Sequence, residues 1–136
     1  MPLKSKAIVL DSWSIIAYLE DEPSGRKVEE LLVNAHEHGV PLLTTVVNAG
    51  EVWYITARKT SEEDADEAIE DLRRLGIDFV DADWTLTKTA AAFKTKGKMS
   101  YADCFAAALA KHKQASLVTG DPEFRQVSRH IKVHWI

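Results

Sequence analysis

Cysteine is nearly absent: the chain of 136 residues carries one, Cys104. That excludes a disulfide framework and any zinc site built from several thiolates. A lone cysteine in a helical stretch packs as a small hydrophobe. Long apolar runs are missing too. None approaches the roughly 20 residues needed to cross a bilayer, so no membrane association is expected. The opening Met1-Pro2-Leu3-Lys4-Ser5-Lys6 leads into a short apolar run that Asp11 ends, which is no secretory leader. A cytoplasmic location is the resulting expectation. Nor is positive charge in excess, since the formal net charge is −4 and the pI near 5.7. A protein that binds nucleic acid by charge alone is usually basic. Any such role here needs metal ions to reverse the local sign at an acidic cluster, together with a basic rim, for which Arg58-Lys59 and Lys94, Lys96 and Lys98 are available. Walker A loops, G-x-G-x-x-G fingerprints, nucleophile elbows and H-E-x-x-H pairs are all absent from the sequence.

What remains is globular: 46% apolar and 28% charged residues, enough for one domain spanning 1–136 with a real core. Within it four acids stand in unusual places. Asp11 follows the apolar run Ala7-Ile8-Val9-Leu10, and Asp121 closes Ser116-Leu117-Val118-Thr119-Gly120. Glu51 shares a helical face with Val47, Tyr54 and Ile55, and Asp103 with Met99, Ala106, Ala107 and Ala110. The two helical acids thus interrupt apolar stripes. Burying a carboxylate is costly unless it is paired, hydrogen-bonded or bound to a metal. As individuals these acids have little structural purpose beyond an ion pair or a backbone donor. Brought together, they make a site for hard divalent cations.

Strand and helix signals alternate. Strands are expected at 7–10, 41–44, 77–80 and 117–118, with a fifth beginning at Val127 or Ile131 and ending at Trp135. Helices are expected at 12–19 with Ser12 as N-cap, and at 26–37 after a break at 20–25. Further helices are expected at 46–59 with Thr45 as N-cap, at 61–74 behind a Ser61 capping box, at 84–96, and from a Ser100 cap to about Lys113. Strands separated by helices indicate parallel βαβ units, hence an α/β fold with a central, mainly parallel sheet of four or five strands. In such sheets ligands bind beyond the carboxyl ends of the strands, where Asp11 and Asp121 fall. Ser12, Asn48 and Thr119 are the polar residues able to support the carboxylates. Their bland alternatives are an N-cap, a solvent-facing helical Asn and a strand-end turn residue.

In this order and spacing the acids and their neighbours resemble the PIN-domain family, in particular its compact VapC-like toxins. The resemblance is carried by Val9-Leu10-Asp11-Ser12, by Thr44 to Val52 around Glu51, by Met99-Ser100-Tyr101-Ala102-Asp103 and the alanines after it, and by Leu117-Val118-Thr119-Gly120-Asp121. Trp13 departs from the pattern, standing where the family more often has a small residue. The resemblance implies a three-layer α/β/α sandwich, Mg²⁺ or Mn²⁺ dependence, a homodimer, and a cognate antitoxin that covers the active site.

The expectation is therefore a metal-dependent endoribonuclease acting on RNA. Asp11, Asp103 and Asp121 would hold the ion directly or through water, and Glu51 would complete the cluster. Ser12 and Thr119 would orient carboxylates, and Asn48 would orient them or touch substrate. Oxygen ligands suit Mg²⁺ or Mn²⁺ over zinc. Two other readings stand beside it. One is a Mg-dependent phosphatase or phospho-receiver domain. A phosphatase would want a second Asp where Trp13 stands, and a receiver would not place two of its acids on helices. The other is an inactive module that keeps the fold and binds a partner. The aromatic and apolar groups Trp13, Ile16, Tyr18, Leu19, Trp53 and Tyr54 look too many for one buried stripe, so some of them are expected to line a dimer contact and an antitoxin groove, the alternative being that all pack in the core.

Overall fold

A computed structural model describes residues 5–136; the leader question at Met1 to Lys4 lies outside the described residues. Among them are five strands and six α-helices. In chain order they run β1 (Ile8–Leu10), α1 (Ser12–Leu19), α2 (Pro23–Glu37), β2 (Leu42–Thr45), α3 (Val46–Lys59), α4 (Glu62–Arg74), β3 (Ile77–Val80), α5 (Trp84–Thr95), α6 (Tyr101–Lys113), β4 (Ser116–Thr119) and β5 (Lys132–Trp135). A 3₁₀ helix (Pro122–Val127) precedes β5. The strands form one sheet in the order β3-β2-β1-β4-β5, with every pairing parallel.

Alternation along each strand divides the core. Val9, Leu43 and Leu117 face α5 and α6, where Leu86, Ala90, Phe93 and the run Phe105 to Ala110 pack. Ile8, Leu10, Leu42 and Val118 face the other way, onto Ile15 of α1, Val28 and Leu32 of α2 and Leu72 of α4. Strands covered on both faces read as continuous apolar runs, as these do. Helix α3 joins the two layers, giving Val52 to the second core while Val47 packs on the first. The result is the three-layer α/β/α sandwich.

Sheet order reverses at β1. The chain builds outward to β2 and β3 on one side and returns to β4 and β5 on the other. A crevice therefore opens beyond the carboxyl ends of β1 and β4, the place where parallel sheets bind ligands.

Two local expectations need correction. Helix α2 starts at Pro23, not Arg26, with proline in the first turn. Proline is tolerated there because its missing N–H would have no helical partner. Gly25 lies inside that helix and is buried. A Cβ on it would overlap the Ala17 carbonyl oxygen of α1, so this glycine permits the close α1–α2 crossing. The N-cap of α1 is Asp11 and not Ser12: its carboxylate accepts the Ser14 N–H at 2.9 Å.

Candidate functional site

Asp11 follows β1 and is fully buried. One carboxylate oxygen caps α1 through Ser14, and the other accepts the Thr119 hydroxyl at 2.6 Å. The same Thr119 oxygen accepts the Asp121 N–H at 3.0 Å. A single hydroxyl on β4 thus fixes the spacing between the acid after β1 and the acid after β4. Asp121 in turn caps the 3₁₀ helix, its Oδ1 accepting the Glu123 N–H at 2.9 Å. Asp103 sits in the first turn of α6, where Ser100 Oγ accepts its backbone N–H at 3.1 Å. Two of the four acids, Asp11 and Asp121, therefore cap helices, and Asp103 stands in a first turn that Ser100 caps. The reading that they lack structural purpose as individuals is corrected: a carboxylate at a helix start is stabilised by unpaired N–H groups and the helix dipole.

Glu51 is half-buried on α3. The buried side of that helix is Asn48, Ala49 and Val52, one position away from the stripe expected from Val47 and Tyr54. Tyr54 is exposed, so Glu51 stands at the edge of the buried face and not in it. Asn48 is fully buried, which overturns the solvent-facing alternative. Its Oδ1 accepts the Thr45 hydroxyl at 2.6 Å, and its Nδ2 donates to the Ala102 carbonyl at 3.1 Å and to Ser12 Oγ at 3.3 Å. Ser12 Oγ donates to the Asn48 carbonyl at 3.3 Å. Ser12 and Asn48 thus hold one another, and Asn48 docks α3 on the start of α6, beside Asp103. Neither has a hydrogen bond to any of the four acids among the described residues.

Glu51, Asp103 and Asp121 line one cleft of about 550 Å³, with Ser12, Trp13, Ile16, Ile55, Lys98, Ser100 and Glu123 completing its walls. Asp11 lies behind it. Burial pushes the Asp11 carboxyl up to about 6, against the hydrogen bonds from Thr119 and Ser14, and the Asp121 charge adds to the rise. Burial likewise pushes Asp103 up to about 7, followed by repulsion from Asp121, with smaller contributions from Asp11 and Glu51. The four acids thus share one electrostatic neighbourhood. The three ion pairs among the described residues are Lys59–Glu20, Arg73–Glu70 and Arg74–Asp71, and none involves these acids. The structural ion-pair alternative has no partner there.

Unpaired, mutually repelling carboxylates are a donor set for a hard cation. Among the described residues no three acidic, His or Cys side chains stand close enough to grip an ion together. An ion here would keep part of its water shell, as Mg²⁺ usually does.

The sequence reading missed Ser14 and Glu123 at the site, whereas Lys98 and Ser100 were expected as a rim cation and a helix cap. Ser14 stands three residues after Asp11 and Glu123 two after Asp121, each within reach of a capping carboxylate; those offsets were the available signal. Of the expected basic rim, only Lys98 lines the cleft. Lys59 is paired with Glu20, Arg58 lies 5.0 Å from the Tyr54 ring centroid, and Lys94 Nζ donates to the Met99 carbonyl at 2.6 Å. The expected set of exposed aromatic and apolar groups is also largely corrected. Ile16, Tyr18 and Leu19 pack against the second core. Trp53 is half-buried and donates its indole N–H to Asp66 at 2.8 Å. Trp13 is half-buried over Gly120, where a Cβ would overlap its ring. Tyr54 alone of the set is exposed. Cys104 is fully buried, as a small hydrophobe, and burial raises its thiol pKa.

A sequence model of the PIN domain matches residues 8–130. No curated protein matches the chain. Among solved structures, VapBC2 from Rickettsia felis bound to a DNA fragment from their promoter superposes with a TM-score of 0.72 at 15% identity, covering 94% of this chain and 97% of that one. VapC20 from Mycobacterium tuberculosis, a Sarcin-Ricin loop cleaving toxin, gives 0.69 at 18% identity, over 94% and 99%. FitAcB from Neisseria gonorrhoeae gives 0.66 at 18%, over 93% and 95%. At such identities the likeness is one of fold.

Proposed function

Since the chain belongs to the PIN-domain family, whose model spans residues 8–130, we propose that it is a single-domain, metal-dependent endoribonuclease and the toxin of a toxin–antitoxin pair. The observation that carries this reading is the meeting of Glu51, Asp103 and Asp121 in one cleft, with Asp11 behind them and no cation paired to any of the four among the described residues. A binding module needs no such cluster. The family match also weighs against the phosphatase and receiver alternatives.

Asp103, Asp121 and Glu51, backed by Asp11, would hold Mg²⁺ or Mn²⁺. When bound, the ion supplies a water of lowered pKa as nucleophile and offsets charge developing on the phosphodiester. The protein's own part is positioning. Thr119 holds the Asp11 and Asp121 segments at one hydroxyl, so the two strand-end acids cannot drift apart. Asn48 fixes α3 against the start of α6, which sets Glu51 relative to Asp103. With its carboxyl pushed up to about 7, Asp103 is partly protonated near neutrality in the absence of an ion; proton and metal compete for it. Lys98 is the cation on the cleft wall available to an incoming phosphate, and Trp13 and Ile55 supply apolar wall.

Partners follow from the same reading: an RNA substrate, a cognate antitoxin, and a second copy of the chain in a homodimer, all in the cytoplasm. No helix of the described residues is long and apolar enough to cross a membrane. RNA incubated with the purified chain and Mn²⁺ is expected to be cut internally, and EDTA to abolish the cut. Intact RNA under both conditions, from a folded preparation, would favour the inactive interaction module.

A further inference from the structure

A larger cleft, of about 710 Å³, lies at the opposite end of the strands from the acids. Its place follows from the register. Ile8 pairs with Ser116 and Ser116 with Lys132, at the starting ends of β1, β4 and β5. Lys6 precedes β1, Lys132 opens β5, and Lys111 lies in the last turn of α6. With Arg129 these cations line the cleft, His130 joins them, and no Asp or Glu is among the lining residues. The whole chain carries a net charge of −4, so the local sign is the reverse of the protein's. None of the three ion pairs among the described residues engages these side chains.

The bland account is the helix dipole, which favours cations in a last turn. It covers Lys111 but not Lys6, Arg129 or Lys132, which come from other segments. Two of the cations are also held in place. Lys6 Nζ donates to Gln114 Oε1 at 3.0 Å, and Lys111 Nζ stands 5.7 Å from the Phe93 ring centroid. Like charges gathered in a concavity repel one another and concentrate counter-ions there.

We infer that this cleft binds the phosphate groups of an anionic ligand. Lysine and arginine donors match phosphate oxygens through charge-assisted hydrogen bonds. The phosphates come either from an RNA backbone or from a free polyphosphate; the chemistry is shared. The site is separate from the acid cleft and does not rest on nuclease activity.

The test uses the full chain in EDTA, so that no cleavage intervenes. Pyrophosphate is titrated by calorimetry, and a short fluorescent single-stranded RNA by anisotropy. Wild type should bind at least one probe. The double variant Lys111→Gln with Arg129→Gln should weaken that binding roughly tenfold or more. All four cations are exposed, so folding should survive, which a melting curve checks; Lys132→Gln alone gives a second, milder arm. Arg129→Lys should retain much of the binding. RNA binding that pyrophosphate displaces assigns the backbone as ligand, with a shallower salt dependence in the variant, by about 0.7 in log–log slope per lost contact. Pyrophosphate binding without RNA binding assigns a small anion. Wild type that binds neither probe, or a double variant that binds like wild type, overturns the inference. The titrations run in EDTA and read no cleavage, so a failure here leaves the nuclease reading standing, and a failure of Mn²⁺-dependent cleavage leaves this inference standing.

Discussion

At Asp103, burial and the neighbouring acids act in the same direction, and both oppose ionisation. A carboxyl whose folded pKa is raised binds more protons in the native state than in the unfolded chain across the interval between the two values. Its stabilising contribution is complete below about 4 and is lost as pH rises towards 7. Asp11 behaves alike, over a window from about 4 to about 6. In EDTA, the melting temperature should therefore fall between pH 5 and pH 7.5 on account of these groups, and Asp103→Asn should flatten the fall. The benefit of the substitution at neutral pH is on the order of 1 kcal/mol, since a half-exposed group is screened by solvent. A melting difference between variant and wild type that does not grow with pH would contradict the assignment. Thr119 offers a second test at this scale. Thr119→Val leaves a buried Asp11 oxygen without its donor and should cost about 1–3 kcal/mol in urea unfolding. An unchanged midpoint would mean that the hydroxyl does not hold the acid.

At the scale of elements, packing decides where glycine is required. Gly25→Ala forces a methyl group against the α1 backbone, which has no rotamer with which to yield. A loss of about 1–3 kcal/mol is expected from overpacking, checked by chemical denaturation; a neutral result would mean that the two helices separate freely. Gly120→Ala meets a side chain instead, the Trp13 ring, and should change the cleft more than the stability, read as a shift in tryptophan emission. Most element bounds were legible in the sequence because local signals coincide with them. Thr45 and Ser61 cap α3 and α4 through Asn48 and Asp64 N–H groups, and Gly76 at φ 84° ends the turn after α4. What could not be read depends on contacts between segments. Proline, serine and glycine at 23–25 look like a break until Gly25 is seen against Ala17. The 3₁₀ helix after Asp121 is too short to show periodicity. For the candidate site, the acids could be read from their positions after strands and along helices. The Thr119 bridge, the burial of Asn48 and the inclusion of Glu123 come from chain crossings that no single-segment pattern records.

Across the whole molecule, parallel strands give the sheet two unlike ends. The four candidate-site acids gather beyond the carboxyl ends and a group of four cations at the starting ends, so the two clefts differ in sign under a modest net charge. The acid end should behave as a metal site. Mg²⁺ or Mn²⁺ should raise the melting temperature more at pH 8 than at pH 5.5, because protons compete for Asp103 and Asp11 at the lower pH. An equal rise at both values would point to binding elsewhere. The central claim is that Asp103 belongs to a catalytic metal site, and one paired measurement tests it most directly: RNA cleavage in Mn²⁺ and thermal melting, on the same preparation of Asp103→Asn. The account predicts cleavage reduced by several orders of magnitude, with melting unchanged or slightly raised because a like-charge cluster has been relieved. A stable, fully active variant would contradict it. So would a protein that loses activity only by unfolding, as breaking a buried ion pair worth about 3–5 kcal/mol would cause.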